Sequence, residues 1–244
     1  MELLNQIFDE IKESNNPEVI NDFLIELSEN PNTDHIKYLS YFINNQDIKI
    51  FDKIKLNLIY VLGEIGNLTP LSDKYLVFLE KEYYKSDRWV RNEIIQAIFK
   101  ISKNLDLGEK IIELIANALN DEYSVIKINT LKLISNFKNL PDIILKNLVL
   151  LMNSKDPEIL DGCRRILKRI PQKTETIFNT LNKSNTYKIL KPRGIRTFLL
   201  LQFKSINNTE SFKEMIINSN WDDNYKENYL KELYTFERIL ARNL

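Results

Sequence analysis

The feature that most constrains this chain is a repeat. Phe23, Ile59, Ile95, Leu131, Leu167, Phe203 and Ile239 stand 36 residues apart, and all seven are large and apolar. A second column holds Leu62, Ile98, Ile134, Ile170 and Ile206, and a third holds Ile65, Ile101 and Phe137. Glu26 and Arg242 break the second column in the first and last units. Such departures are expected where a stacked array ends, because a terminal unit faces water on one side. Self-similarity at this period marks an architecture in which one small unit cannot bury its apolar face alone and must stack on its neighbours.

Inside each unit the period is helical. Apolar residues recur at i, i+3, i+4 and i+7, as in Ile94, Ala97, Ile98 and Ile101, or Ile111, Leu114, Ile115 and Ala118. Short polar clusters divide the chain into helix pairs: 2–14 with 17–29, 34–45 with 51–66, 72–85 with 88–104, 108–120 with 123–137, 141–153 with 157–170, 174–184 with 190–206, and 209–219 with 223–243. Asn16-Pro17-Glu18 and Asp156-Pro157-Glu158 each read as a helix start: an N-cap, a proline in the first turn and an acid near the positive end of the helix dipole. The pattern predicts an all-α protein, a right-handed α/α superhelix of about seven hairpins. The repeats fall near 1–30, 34–67, 72–105, 107–138, 140–171, 173–206 and 209–244. No Gly/Ser-rich linker interrupts the series, so 1–244 reads as a single domain. The tetratricopeptide alternative needs Trp, Leu-Gly, Tyr, Ala, Phe and Pro at set offsets of a 34-residue unit, and those are missing. A non-repeating helical bundle is the plainer competitor.

Val61-Leu62-Gly63-Glu64-Ile65-Gly66-Asn67, followed by Pro70-Leu71, resembles the end of the second helix in HEAT-like repeats of the phycobilisome-lyase type. Asp87-Arg88-Trp89-Val90-Arg91, leading into Ile94, Ala97 and Ile101, resembles the start of the same helix, where an Asp precedes a Val-Arg pair. Asp121 through Lys127 and Asp156-Pro157-Glu158-Ile159 are weaker copies. Elsewhere Asn, Ile or Lys replace the small residues of the pattern, in keeping with a composition rich in Ile, Asn and Lys and poor in Ala. The resemblance implies a surface that holds partners.

Scarcity bounds the chemistry. The chain has five glycines, too few for the phosphate-cradling turns of parallel α/β folds. It has one histidine, His35, so Ser-His-Asp catalysis and His-based zinc sites have almost nothing to be built from. His35 reads as a surface residue at a helix start. Cys163, the only cysteine, lies between Gly162 and Arg164 and reads as a small core residue; a lone thiol fits a reducing, cytoplasmic setting. No basic leader opens the chain, and no apolar run reaches the ~18 residues of a membrane span. Asp222-Asp223 reads as a helix-start cluster, and Trp221 as a cap over the final unit. No cofactor, metal or catalytic group is expected.

The net charge of zero hides an uneven distribution. Residues 1–50 hold ten acids against three bases, whereas residues 155–204 hold twelve bases against four acids. Arg164, Arg165, Lys168 and Arg169 lie on one second helix; Lys191, Arg193 and Arg196 open the next, with Lys188 just before. Second helices of such arrays commonly line the concave face, where these cations would merge into one patch; the plainer reading is a solvated face. Trp89 and Arg91 open the third second helix; an exposed Trp beside Arg would be a typical contact pair, and the alternative is a Trp89 that caps its own hairpin's core. The favoured expectation is a non-enzymatic scaffold that binds a protein partner, one with an acidic surface, on that face. The alternative is a nucleic-acid binder using residues 155–204, extending to a DNA-glycosylase-like enzyme with Asp87 and Trp89 as its acid and aromatic. Bilin attachment, as in the phycobilisome lyases, is a third reading that rests on the motif alone.

Overall fold

The computed structural model describes residues 2–169, 174–203 and 207–242. Helix accounts for 77% of the described residues, which contain no strand. Among them fourteen α-helices follow in order: α1 (Glu2–Ile11), α2 (Pro17–Glu29), α3 (Ile36–Asn45), α4 (Ile48–Leu68), α5 (Asp73–Tyr83), α6 (Arg88–Ile101), α7 (Glu109–Ala118), α8 (Ser124–Ile134), α9 (Asp142–Leu151), α10 (Pro157–Leu167), α11 (Thr174–Asn182), α12 (Pro192–Gln202), α13 (Asn207–Ile217) and α14 (Asp223–Arg242). They form consecutive hairpins, and the fold is an α-solenoid. The chain divides into two compact units, residues 1–114 and 115–244.

In the first unit, α1 packs on α2, α3 on α4 and α5 on α6, while the second helices stack in the order α2, α4, α6. The α4–α6 contact is the most extensive of these, and its cause is visible in the sequence. A Cβ on Gly66 would lie 2.4 Å from Ile101 Cγ1, and one on Gly63 would lie 2.9 Å from Ala97 Cα. The two glycines that carry the family resemblance therefore let two helix backbones approach at a distance no larger residue allows.

In the second unit, α10 packs most closely on α8 and α9, and α12 on α14 and α9. The sixth hairpin departs from the expected plan. Its first helix ends at Asn182, and a 3-10 turn over Lys183–Lys188 carries the chain to α12, with Asn185 at φ 55°. Asn tolerates that left-handed backbone better than most residues.

Six members of the main apolar column are buried, from Phe23 to Phe203; the seventh, Ile239, is 37% exposed on the last helix. In the second column Leu62, Ile98 and Ile134 are fully buried, whereas Ile170, Ile206 and Arg242 lie outside the residues whose side chains are described. The N-caps read from sequence hold: Asn16 accepts from the Glu18 amide and Asp156 from Glu158 and Ile159.

A polar framework runs beside the core at the same spacing. Asn57 donates to Asn21, Lys103 to Asn67, and Lys100 pairs with Glu64 at 2.7 Å, each across 36 residues. Asn153 joins two hairpins twice, donating to the Ile189 carbonyl and accepting from the Lys191 amide.

Two expectations need correction. His35 is buried, in a 3-10 turn before α3 and beside the Tyr38 ring, and its Nδ1 lacks a hydrogen-bond partner among the described residues. Burial lowers its pKa from the ordinary histidine value. Its position in a polar loop gave no sign that the turn packs against α3 and α4. Trp221 is a wedge between the sixth and seventh hairpins instead of a lid on the end. It stacks on Tyr187 at 4.1 Å and on Phe178 at 5.4 Å, and its indole N–H donates to Asn182.

Candidate partner-binding surfaces

In the first unit the candidate residues gather at the start of α6. Asp87 caps the helix, its carboxylate accepting from the Trp89 and Val90 amides. The cap fixes the first turn and holds Trp89 outward, 65% exposed, with the Arg88 guanidinium 4.9 Å from its ring centre. Arg91 turns back, and its guanidinium donates to the Ser86 carbonyl, so it braces the preceding loop.

One turn further on, Glu93 is a residue the sequence reading missed. Gln96 donates to one of its carboxylate oxygens at 3.4 Å; the other is sealed from solvent with no hydrogen-bond partner among the described residues. Burial pushes the Glu93 carboxyl above the usual range, against the opposing pull of Lys100. Lys100 is already engaged with Glu64 and lies 4.4 Å from the Tyr60 ring centre. Glu93 thus feels an ammonium that is already paired with another carboxylate.

In the second unit the basic residues divide into two kinds. Arg164 pairs with Asp161 at 3.1 Å. Arg169 donates to the Ser135 and Phe137 carbonyls, closing the end of α8. Arg196 makes a bidentate pair with Glu232, at 2.7 and 3.1 Å, and Glu232 is only 5% exposed. Arg169 and Arg196 tie neighbouring hairpins together, while Arg164 pairs within its own helix. Arg165, Lys168, Lys191 and Arg193 are exposed, and their side chains have no ion-pair or hydrogen-bond partner among the described residues. Arg165 is on α10, Lys168 at its end, Lys191 at the N-cap of α12 and Arg193 in its first turn.

A cleft of about 330 Å³ lies between α8 and α10. Gly162 brings the helices together there, since a Cβ would lie 2.9 Å from Leu131 Cδ1. Cys163, next in sequence, faces the other way into the core; burial pushes its thiol up to about 12, so it is no nucleophile at neutral pH. Among the described residues no group of three or more His, Cys, Asp or Glu side chains is arranged to hold a metal ion, and no helix is long and apolar enough to cross a membrane.

Comparison with protein-family models gives no match, and comparison with curated proteins gives no significant relative. Solved structures do match. Two engineered proteins determined by the Northeast Structural Genomics Consortium align with TM-scores of 0.54 and 0.53 at 16% and 15% identity. The first alignment covers 97% of this chain and 98% of the other, and the second 96% and 98%. A designed armadillo repeat protein aligns at TM-score 0.48 and 15% identity over 96% of this chain and 99% of its own. At such identities the likeness is one of fold.

Proposed function

We propose that this chain is a non-enzymatic scaffold of HEAT-like repeats that binds a protein partner through its second-helix faces, the partner presenting an acidic surface to the second unit. The observation that carries the reading is the sorting of the cations. Arg164, Arg169 and Arg196 are used by the fold, whereas Arg165, Lys168, Lys191 and Arg193 stand exposed without an internal counter-charge among the described residues. Exposed Trp89 adds an aromatic anchor of the kind that dominates protein interfaces. A cytoplasmic setting fits a lone buried thiol.

Nucleic acid is the competing ligand. Binding sites for single strands interleave aromatic platforms with their cations, and α10 carries no aromatic residue. The test is capture of partners from the native cell extract by immobilised protein, comparing wild type with Lys191→Glu/Arg193→Glu. Specific capture by wild type and its loss in the variant are expected. A sequence-selective DNA or RNA complex that survives about 0.2 M salt, where non-specific phosphate contacts are largely screened, would replace the scaffold reading.

A further inference from the structure

From the cleft between α8 and α10 we infer that the second unit recognises a short acidic–aliphatic segment of a protein partner, one carboxylate of which docks on Arg165. This rests on the scaffold reading and names the chemistry of its partner. The cleft has two characters. Its floor is hydrocarbon, from Ile128, Leu131 and Ile166, and its rim carries the cations Lys132, Arg165 and Arg169 against one acid, Glu158. Arg169 spends its guanidinium on the carbonyls at the end of α8. Among the described residues Lys132 makes only a long contact, 3.4 Å, to Asn129. Arg165 has no protein partner among the described residues, and its exposed planar fork has the geometry that matches a carboxylate in bidentate fashion. An apolar floor under an anion-seeking rim suits a glutamate whose neighbour is aliphatic. It suits a phosphodiester poorly, because a nucleotide would bring a sugar and base that find no stacking ring among the lining residues.

The volume is that of a small ligand site, enough for a side chain or two and not for a folded domain. The cleft is also separate from the Lys191–Arg193 cations, which lie on α12 and do not line it. Anchoring of the segment and the wider electrostatic attraction of the partner are therefore separable.

The probe is a fluorescein-labelled peptide of alternating glutamate and leucine, with a glutamine–leucine counterpart and an oligothymidylate of equal charge, titrated with the full chain and followed by anisotropy. Saturable binding of the glutamate peptide is expected, at least tenfold tighter than the glutamine peptide or the oligonucleotide. Arg165→Gln should weaken it at least tenfold. Ser135→Trp, which fills the rim without a change of charge, should do the same. Arg164→Gln, on the same helix but outside the cleft, should leave affinity within about twofold. Far-UV circular dichroism checks that each variant is folded. Equal affinity for the glutamate and glutamine peptides, or equal losses in Arg164→Gln and Arg165→Gln, would overturn the cleft assignment. If peptide binding is absent while Lys191→Glu/Arg193→Glu still abolishes partner capture, the cleft assignment fails and the scaffold stands. If the peptide binds as expected but no partner is captured specifically, the scaffold reading fails instead.

Discussion

At the scale of single residues, the half-buried Glu93 and the buried His35 pull stability in opposite directions with pH. Glu93 has its carboxyl raised by burial, so the folded state favours the protonated form, and stability is lost as pH rises through the folded value. Glu93→Gln keeps the shape and removes the charge. It should raise the midpoint of thermal unfolding at pH 7.5, by a free energy of about 1 kcal/mol, and bring little gain near pH 4, where the acid is already protonated. His35 has its pKa lowered, so its neutral form is favoured in the fold; stability is present above the unfolded value of about 6.5 and is lost as pH falls below it. Melting curves from pH 7.5 to 5 should show the decline, and His35→Gln should flatten it. A buried carboxylate oxygen without a partner lowers stability, and such costs commonly collect where a surface is used for something else.

At the scale of helices, the α4–α6 and α8–α10 contacts show how far the sequence could be read. The apolar columns place Leu131 and its equivalents in the core because burial on one helix stripe leaves a periodic trace. Leu131→Ala should cost ~2–5 kcal/mol, the range for a buried leucine and the cavity it leaves. Gly66→Ala should cost ~1–3 kcal/mol by overpacking against Ile101, measured by urea denaturation. Gly66→Ala combined with Ile101→Ala should cost less than the sum, because the second change clears the space the first requires. The polar framework was not legible. Asn21, Asn57, Glu64 and Lys100 are ordinary surface types, and nothing in a linear pattern distinguishes a pair joined across 36 residues from two solvated neighbours. For the same reason Arg164, Arg169 and Arg196 read as part of an open basic patch, although each is tied to the chain. Trp89 was recognisable as a candidate because the Asp87 cap defines where the helix begins, and the cap turns out to set its exposure.

At the scale of the whole molecule, the two units carry opposite charge. Residues 1–114 hold 20 acidic and 13 basic side chains, and residues 115–244 hold 14 and 21. The acidic unit repels a long polyanion, so binding to duplex DNA should be non-specific near physiological salt, with Kd no tighter than ~10⁻⁶ M by electrophoretic mobility shift. Each unit also holds one tryptophan: Trp89 exposed in the first, Trp221 buried in an aromatic stack in the second. Unfolding followed by Trp221 emission in a Trp89→Phe background therefore reports the second unit. Leu131→Ala should shift that transition more than Phe23→Ala does, because repeats act mainly on their neighbours.

The hydrogen bonds that tie one hairpin to the next reach only one repeat along the chain: 36 residues from Asn153 to Ile189, 34 from Arg169 to Ser135, 39 from Trp221 to Asn182. A chain whose contacts close such short loops has little entropy to lose before each contact forms, and it folds fast for its length. During synthesis a hairpin needs only its predecessor, not the distant C-terminus, before it can dock. A ribosome adding about 5–20 residues each second takes roughly two to seven seconds to supply one repeat, far longer than a helix needs to form. Assembly can therefore keep pace with translation, one repeat behind the exit tunnel, and apolar faces need wait uncovered only for the next hairpin.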